Sequence, residues 1–207
     1  MAYRDRSDAG EELARELAHL SGRPDVTVLG LLRGGAPVAA VIAQRLGVPY
    51  DVLVIRKLGM PSAPEIAFGA IGPGGVRVLN PEVADRLDAD QIAQVTAAET
   101  AELRRREGTF RGVRPPLELS GRTAVLVDDG LATGATARAA VAVSRKLGAG
   151  RVVLAAPVGS PEAVAALRNA VDEIVCPLRP DDFRAVGQYY LDFHQVSDDE
   201  VAALPVG

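Results

Sequence analysis

One stretch of thirteen residues, from Ala124 to Thr136, restricts the fold of this chain more than any other. It begins with four apolar residues, two of them valines, a composition typical of a buried parallel strand. The acidic pair Asp128 and Asp129 follows directly. After it come a glycine/threonine turn and an Ala/Arg/Val run that predicts a helix over 137–147. This order predicts one strand–turn–helix unit of an open α/β sheet.

The carboxyl end of such a strand is where open α/β sheets bind ligands. A glycine turn before a helix offers free N–H groups and the positive end of the helix dipole, which together suit a phosphate. The carboxylates of Asp128 and Asp129 suit ribose hydroxyls and Mg²⁺, which prefers a few carboxylates together with substrate oxygens. The segment therefore predicts a sugar-phosphate site. Its expected phosphate-binding residues are Ala132, Thr133, Gly134, Ala135 and Thr136.

The same segment resembles the phosphoribosyl-pyrophosphate (PRPP) motif of the type I phosphoribosyltransferases. Other phosphate motifs fit less well, because no Gly-Lys-Ser/Thr ending, no G-x-G-x-x-G after the first strand and no Asp-x-Asp-Gly spacing is present. An ordinary β–α turn, with glycines needed only for geometry, remains an alternative. Two adjacent unpaired carboxylates are nevertheless unfavourable unless a cation or hydroxyls lie on them.

Strands and helices alternate along the rest of the chain, which predicts an α/β fold with a doubly wound, mainly parallel five-stranded sheet and helices on both faces. Ser7 or Asp8 is expected to cap a first helix that ends near His19. We expect one domain, 1–207, with a core over about 22–177, a helical insertion over about 81–110 and a C-terminal hood over about 178–207. The expected strands are 26–32, 50–55, 124–127, 151–156 and 173–176.

Composition narrows the function. A net charge of −4 argues against nucleic acid as the main partner, and 207 residues suffice for a sizeable core. The single cysteine, Cys176, excludes an internal disulfide and is expected to be buried. The first residues are charged rather than signal-like, and no apolar run reaches the length of a membrane span. We therefore expect a soluble cytoplasmic protein with no membrane partner.

Two further segments resemble loops of the same family. Arg33, Gly34 and Gly35 are similar to the pyrophosphate loop in its Leu-Lys-Gly-Gly form, with arginine replacing lysine. The resemblance further predicts a cis peptide between Leu32 and Arg33, at least with ligand bound. The strand before this loop should neighbour the motif strand, which would place the loop across the crevice from Asp129.

The segment that begins with Arg56 and Lys57 resembles the flexible catalytic loop of adenine phosphoribosyltransferases. The stretch 56–75 carries so many Gly and Pro residues that we expect no regular element there, except that 67–71 and 76–79 could pair as a short hairpin. A loop with Arg56, Lys57 and Glu65 could close over a reactive sugar and exclude water. A solvated charged loop remains the alternative for Lys57 and Glu65.

The tail 183–192 resembles, more weakly, the segment that covers the base in hypoxanthine–guanine enzymes, with one residue more after its glycine. Phe183, Val186 and Tyr189 are thus candidates for binding a base, although packing of the tail onto the core explains them equally well. Those enzymes carry an aspartate at the position of Ala132. Alanine there, as in adenine and uracil enzymes, argues against a 6-oxopurine acceptor.

The resemblance implies a Mg²⁺-dependent glycosyltransferase of nucleotide salvage, expected to be a homodimer. It would transfer the 5-phosphoribosyl group of PRPP to a nitrogen of a nucleobase or related small heterocycle and release pyrophosphate. Asp128 and Asp129 would hold the ribose and Mg²⁺, and Glu65 would accept a proton from the acceptor. Arg33, Gly34, Gly35, Arg56 and Lys57 would bind the departing pyrophosphate. The alternative is a regulator that binds PRPP without chemistry.

Overall fold

The structure, a computed structural model, describes residues 2–204. Numbered along the chain, the strands are β1 (Val26–Leu31), β2 (Tyr50–Leu53), β3 (Arg56–Met60), β4 (Ala63–Ile71), β5 (Arg77–Leu79), β6 (Thr123–Val127), β7 (Arg151–Ala155) and β8 (Glu173–Val175). Five of them form a parallel sheet in the order β2-β1-β6-β7-β8, and three form a separate antiparallel sheet in the order β3-β4-β5. The parallel sheet confirms the predicted fold class, and the pairing of β1 with β6 confirms the predicted neighbour of the motif strand.

Helices cover both faces of the parallel sheet, because its strands are apolar on both sides. The helices are α1 (Arg6–Glu16), α2 (Gly35–Leu46), α3 (Pro81–Ala84), α4 (Ala89–Arg111), α5 (Ala135–Lys146), α6 (Pro161–Leu167) and α7 (Asp198–Ala202). One face of the sheet packs against α1 and α2 in a core that includes Val28 and Val125, and the other packs against α5 and α6 around Leu126 and Leu154.

The expectation of no regular element after Arg56 is wrong, whereas the short hairpin predicted over 67–71 and 76–79 is confirmed as the pairing of β4 with β5. Strand β3 pairs with β4 despite the glycines and prolines, with shifts of register around Gly59. A Cβ added at Gly59 would lie 2.5 Å from the carbonyl oxygen of Pro64, so glycine permits this close approach. Pro61 lies in the turn between the strands, where it interrupts no ladder.

The first helix begins earlier than expected. Its N-cap is Asp5, whose carboxylate accepts a hydrogen bond from the Asp8 N–H, so the prediction of Ser7 or Asp8 as the cap is wrong. Arg6 consequently lies inside the helix, on the buried face that also carries Ala9 and Leu13.

The two chain ends meet on one side of the sheet. Tyr3 donates its N–H to the carbonyl of Tyr189 and accepts a hydrogen bond from the N–H of Leu191, both at 2.8 Å. The predicted hood 178–207 is described to residue 204, and the remainder lies outside the described residues. Cys176 is buried as predicted. Within residues 2–204, no helix combines the length and the apolar character needed to cross a membrane.

Candidate active site at the carboxyl ends of the strands

The five residues predicted to bind a phosphate are contiguous and are here called the phosphate turn (132–136). The first three lie between β6 and α5, and Ala135 and Thr136 are the first residues of α5. Together with Asp128 the five residues line a small cavity of about 130 Å³. Gly134 has a left-handed conformation at the N-cap of α5, with φ of 70°, and a Cβ added there would lie 2.9 Å from Leu167. The first N–H groups of a helix lack partners inside the helix. The turn therefore offers backbone donors and the positive end of the dipole of α5 to an anion.

The segment that follows β7 holds this turn in place. The hydroxyl of Ser160 donates a hydrogen bond to the carbonyl of Ala132 at 2.9 Å. The backbone N–H of Ser160 donates to the carbonyl of Leu131, and the N–H of Leu131 donates to the carbonyl of Val158, both at 2.9 Å. Because Ser160 also caps α6, the turn is fixed to a second helix.

The acidic pair begins directly after β6. Asp128 accepts a hydrogen bond from the backbone N–H of Asp129 on its Oδ1 atom at 3.0 Å. Burial raises the pKa of Asp128, and the neighbouring charge of Asp129 raises it further. Burial also raises the pKa of Asp129, but hydrogen bonds and charge from Arg6 act in the opposite direction. Within residues 2–204, the carboxylate of Asp129 therefore has a cation in direct contact, whereas that of Asp128 has none.

That cation, Arg6, belongs to α1 and is only 8% exposed. Its Nε and Nη2 atoms both donate to Oδ2 of Asp129, at 3.0 and 2.8 Å. Its Nη1 atom donates to the carbonyl of His194 at 2.9 Å, and its guanidinium lies 4.2 Å from the ring centroid of Phe193. No motif pointed to Arg6, since its segment has the charge pattern of a solvated helix start. The one available signal was that Arg6 precedes Leu13 by seven residues and so shares the apolar stripe of α1.

The glycine loop between β1 and α2 packs directly against the acidic pair. A Cβ added at Gly34 would lie 2.0 Å from Oδ2 of Asp129, and one added at Gly35 would lie 2.2 Å from the carbonyl oxygen of Val127. Only glycine fits at either position without moving the backbone or the carboxylate. The Leu32–Arg33 peptide is cis, as predicted. The loop therefore lies across the crevice from Asp129, where the sequence places it.

Both arginines predicted to bind pyrophosphate make ion pairs. Nη1 of Arg33 lies 3.0 Å from Oδ1 of Asp198, the first residue of α7. Nε of Arg56 lies 2.6 Å from Oε2 of Glu99 in α4. An incoming anion would have to compete with these carboxylates for the guanidinium groups.

Lys57 and Glu65 lie in a neighbouring cavity of about 330 Å³, between the antiparallel sheet and α5. This cavity shares Ala135 with the cavity of the phosphate turn, and Arg138 also lines it. Both Lys57 and Glu65 are exposed. The structure thus brings them next to the phosphate turn but does not place them among the residues that contact the acidic pair.

The three residues predicted to bind a base lie in the hood. The rings of Phe183 and Tyr189 stack on each other, with centroids 5.8 Å apart and planes 8° apart. Both also pack against a cluster that contains Tyr3 and Tyr190. Val186 lies against the backbone beside the acidic pair, because a Cβ added at Gly130 would be 2.5 Å from its Cγ1 atom. Val186 is therefore in contact with the motif segment.

Comparison with known protein families gives one match across most of the chain. The sequence model of the phosphoribosyl transferase domain matches residues 3–194. Two proteins from different strains of Mycobacterium tuberculosis, provisionally named phosphoribosyl transferases, are each 54% identical over 204 residues. These matches cover 98% of this chain but 46% of each relative, so the chain spans about half the length of the curated relatives that it matches.

One solved structure is similar over almost its entire length. The protein TT1426 from Thermus thermophilus is 47% identical in sequence, and its crystal structure superposes with a TM-score of 0.90. The match covers 99% of this chain and 97% of that one.

Proposed function

The chain belongs to the phosphoribosyl transferase family, and on this premise we propose that it transfers the 5-phosphoribosyl group of PRPP to a nitrogen atom of a heterocyclic acceptor. Pyrophosphate leaves from C1 of the ribose as the new C–N bond forms. The proposed acceptor is a nucleobase or a related ring, and the proposed active form is a homodimer.

The observation that carries this proposal is the packing of two loops from adjacent strands. The glycine loop after β1 approaches the acidic pair after β6 so closely that no side chain fits at Gly34. The phosphate turn follows the acidic pair in the same segment. A diphosphate, a ribose and a 5-phosphate could therefore be bound side by side along one edge of the sheet.

In this mechanism the C1–O bond breaks early, and positive charge develops on the ribose. The carboxylates of Asp128 and Asp129 would stabilise that charge and accept hydrogen bonds from the ribose 2- and 3-hydroxyls. The phosphate turn would hold the 5-phosphate through its N–H groups and the hydroxyls of Thr133 and Thr136.

The acidic pair also fits the Mg²⁺ ion that accompanies PRPP. Mg²⁺ is usually bound by one or two carboxylates together with substrate oxygens rather than by a complete protein cage. Oδ2 of Asp128 and Oδ1 of Asp129 accept no hydrogen bond from residues 2–204, so each could serve as such a ligand. When bound, Mg²⁺ would neutralise charge on the diphosphate.

The remaining roles concern the pyrophosphate that leaves the ribose and the acceptor that attacks it. Arg33, Gly34 and Gly35 would bind the departing pyrophosphate, joined by Arg56 and Lys57 from the start of β3. Arg33 and Arg56 would exchange their present carboxylate partners for phosphate oxygens. Glu65 would accept the proton of the incoming nitrogen, and the hood residues Phe183, Val186 and Tyr189 would cover the acceptor.

The test has two stages. Titration calorimetry with PRPP and Mg²⁺ is expected to show binding that Asp129→Asn weakens. A pyrophosphate-release screen across nucleobases is then expected to find at least one acceptor. Binding without turnover on any base would instead favour a regulator that senses PRPP, and absence of binding would contradict the proposal altogether.

A further inference from the structure

Asp129 is held from two sides, its carboxylate by an N-terminal residue and its backbone carbonyl by a C-terminal one. Arg6, from the N-terminal side, donates two hydrogen bonds to its Oδ2 atom. From the C-terminal side, the hydroxyl of Tyr190 donates to the backbone carbonyl of the same aspartate at 2.7 Å. These contacts join residues 123 and 61 positions apart in sequence, so they exist only in the folded chain.

The geometry at Asp129 leaves one oxygen for a ligand. Both N–H bonds from Arg6 end on Oδ2, and no hydrogen bond from residues 2–204 ends on Oδ1. The backbone of Gly34 lies against the carboxylate and closer to Oδ2, since a Cβ added there would be 2.0 Å from Oδ2 and 2.9 Å from Oδ1. The carboxylate therefore cannot rotate freely, and its unpaired oxygen has a fixed direction.

The side chain of Arg6 is itself held in place by further contacts. Its third donor, Nη1, is bound to the carbonyl of His194, and its guanidinium lies against the ring of Phe193. A buried arginine held by a carboxylate, a carbonyl and an aromatic ring has few alternative rotamers. Its position is thus set by Phe193 and His194 of the hood.

On the basis of the proposed function, we infer that Arg6 is a positioning residue for the ribose-binding carboxylate. Arg6 fixes Asp129 so that Oδ1 faces the ribose and the metal that accompanies PRPP. Because Arg6 is held by the hood, the orientation of this carboxylate depends on how the hood packs. Arg6 does not contact the substrate in this account, so its effect on binding must pass through Asp129.

That requirement makes a double-mutant cycle the appropriate test. The variants are Arg6→Gln, Asp129→Asn and the double variant, and the measured quantity is the Kd for PRPP in the presence of Mg²⁺. Loss of hydrogen bonds to a charged group corresponds to about a ten- to hundredfold change in an equilibrium. Arg6→Gln is therefore expected to raise the Kd by about that factor in the wild-type background. It should change the Kd little in the Asp129→Asn background, because residues that act through one another are not additive.

Two controls separate positioning from general stability. Arg45→Gln removes an arginine that binds Glu11 at the contact of α1 with α2, away from the site, and is expected to leave the Kd for PRPP unchanged. Arg6→Lys keeps the charge but not the planar fork of donors. It is expected to give an intermediate Kd, and it replaces Arg6→Gln in the cycle if the glutamine variant does not fold.

The outcomes are distinct. If the wild-type protein binds PRPP and a folded Arg6→Gln variant binds it with the same Kd, this inference is overturned and the proposed function stands. Independent effects of Arg6→Gln and Asp129→Asn would overturn it as well, because Arg6 would then act elsewhere. Failure of the wild-type protein to bind PRPP would overturn the proposed function, and this inference with it.

Discussion

The two sides of the candidate site are assembled in different ways. The phosphate turn is one contiguous segment, and the donors that it could offer to a ligand are backbone N–H groups and two hydroxyls. The other side, here called the charged side, consists of the acidic pair with Arg6, Arg33 and Arg56, which come from four separate segments. Each of these arginines already has a carboxylate partner. Within the turn, the N–H of Ala135 donates to the hydroxyl of Thr133 at 3.3 Å, so an anion would displace at most this local contact. An anion that binds Arg33 or Arg56 would instead have to replace an existing carboxylate partner.

The largest effect is expected within the acidic pair. Asp129→Asn should lower turnover by ~10²–10³-fold, because a preorganised carboxylate no longer faces the charge that develops on the ribose. It should also lower the free energy of unfolding by about 1–3 kcal/mol, since Arg6 loses its charged partner. Asp128→Asn, measured in parallel by steady-state kinetics and urea denaturation, should impair turnover without destabilising the fold. It removes a like charge and leaves no cation unpaired. Wild-type turnover by Asp129→Asn would contradict the assignment of the charged side.

The second prediction concerns the contact between the two loops. Gly34→Ala would place a Cβ 2.0 Å from Oδ2 of Asp129, so the carboxylate or the loop must move. A misplacement of about 1 Å can cost ~10²-fold in rate, and we expect a loss of that order in kcat/KM. Gly108→Ala in α4 is the matched control, because a Cβ there meets no atom within 4 Å. Similar activity of both alanine variants would mean that the loops do not have to approach this closely.

The smallest effect is expected at an ion pair that a ligand must replace. Asp198→Asn frees Arg33, so the inhibition constant for inorganic pyrophosphate should fall by about two- to fivefold, which is the range of a partly exposed salt bridge. Asp199→Asn is the control, since it removes the same charge from the neighbouring position on α7. If pyrophosphate inhibits Asp198→Asn less strongly than the wild type, Asp198 orients Arg33 for the ligand rather than competing with the ligand for Arg33.

The same contrast explains which features could be predicted from sequence. The phosphate turn and the strands of the parallel sheet follow from local rules, namely apolar runs, glycine turns and helix caps. The glycine loop was placed opposite Asp129 by one topological rule about adjacent parallel strands. The antiparallel sheet is only partly predictable, because glycine and proline usually interrupt strands. Here Gly59 permits strand pairing and Pro61 occupies a turn.

The charged side could not be assembled in this way, because its contacts join distant segments. In the sequence, Arg6 is one of several charged residues at the start of a helix, and it reaches Asp129 only in the folded chain. The partners of Arg33 and Arg56 are likewise surface-type acids, Asp198 and Glu99, with no motif of their own. Ion pairing between such segments depends on tertiary geometry, which residue spacing does not contain.

The most direct test of the central claim is a crystal structure of the protein with PRPP and Mg²⁺. The 5-phosphate is expected within the phosphate turn, the ribose hydroxyls on Asp128 and Asp129, and the diphosphate against Arg33, Gly34 and Gly35. Binding of PRPP elsewhere, for example in the cavity between the antiparallel sheet and α5, with the phosphate turn empty, would contradict the account.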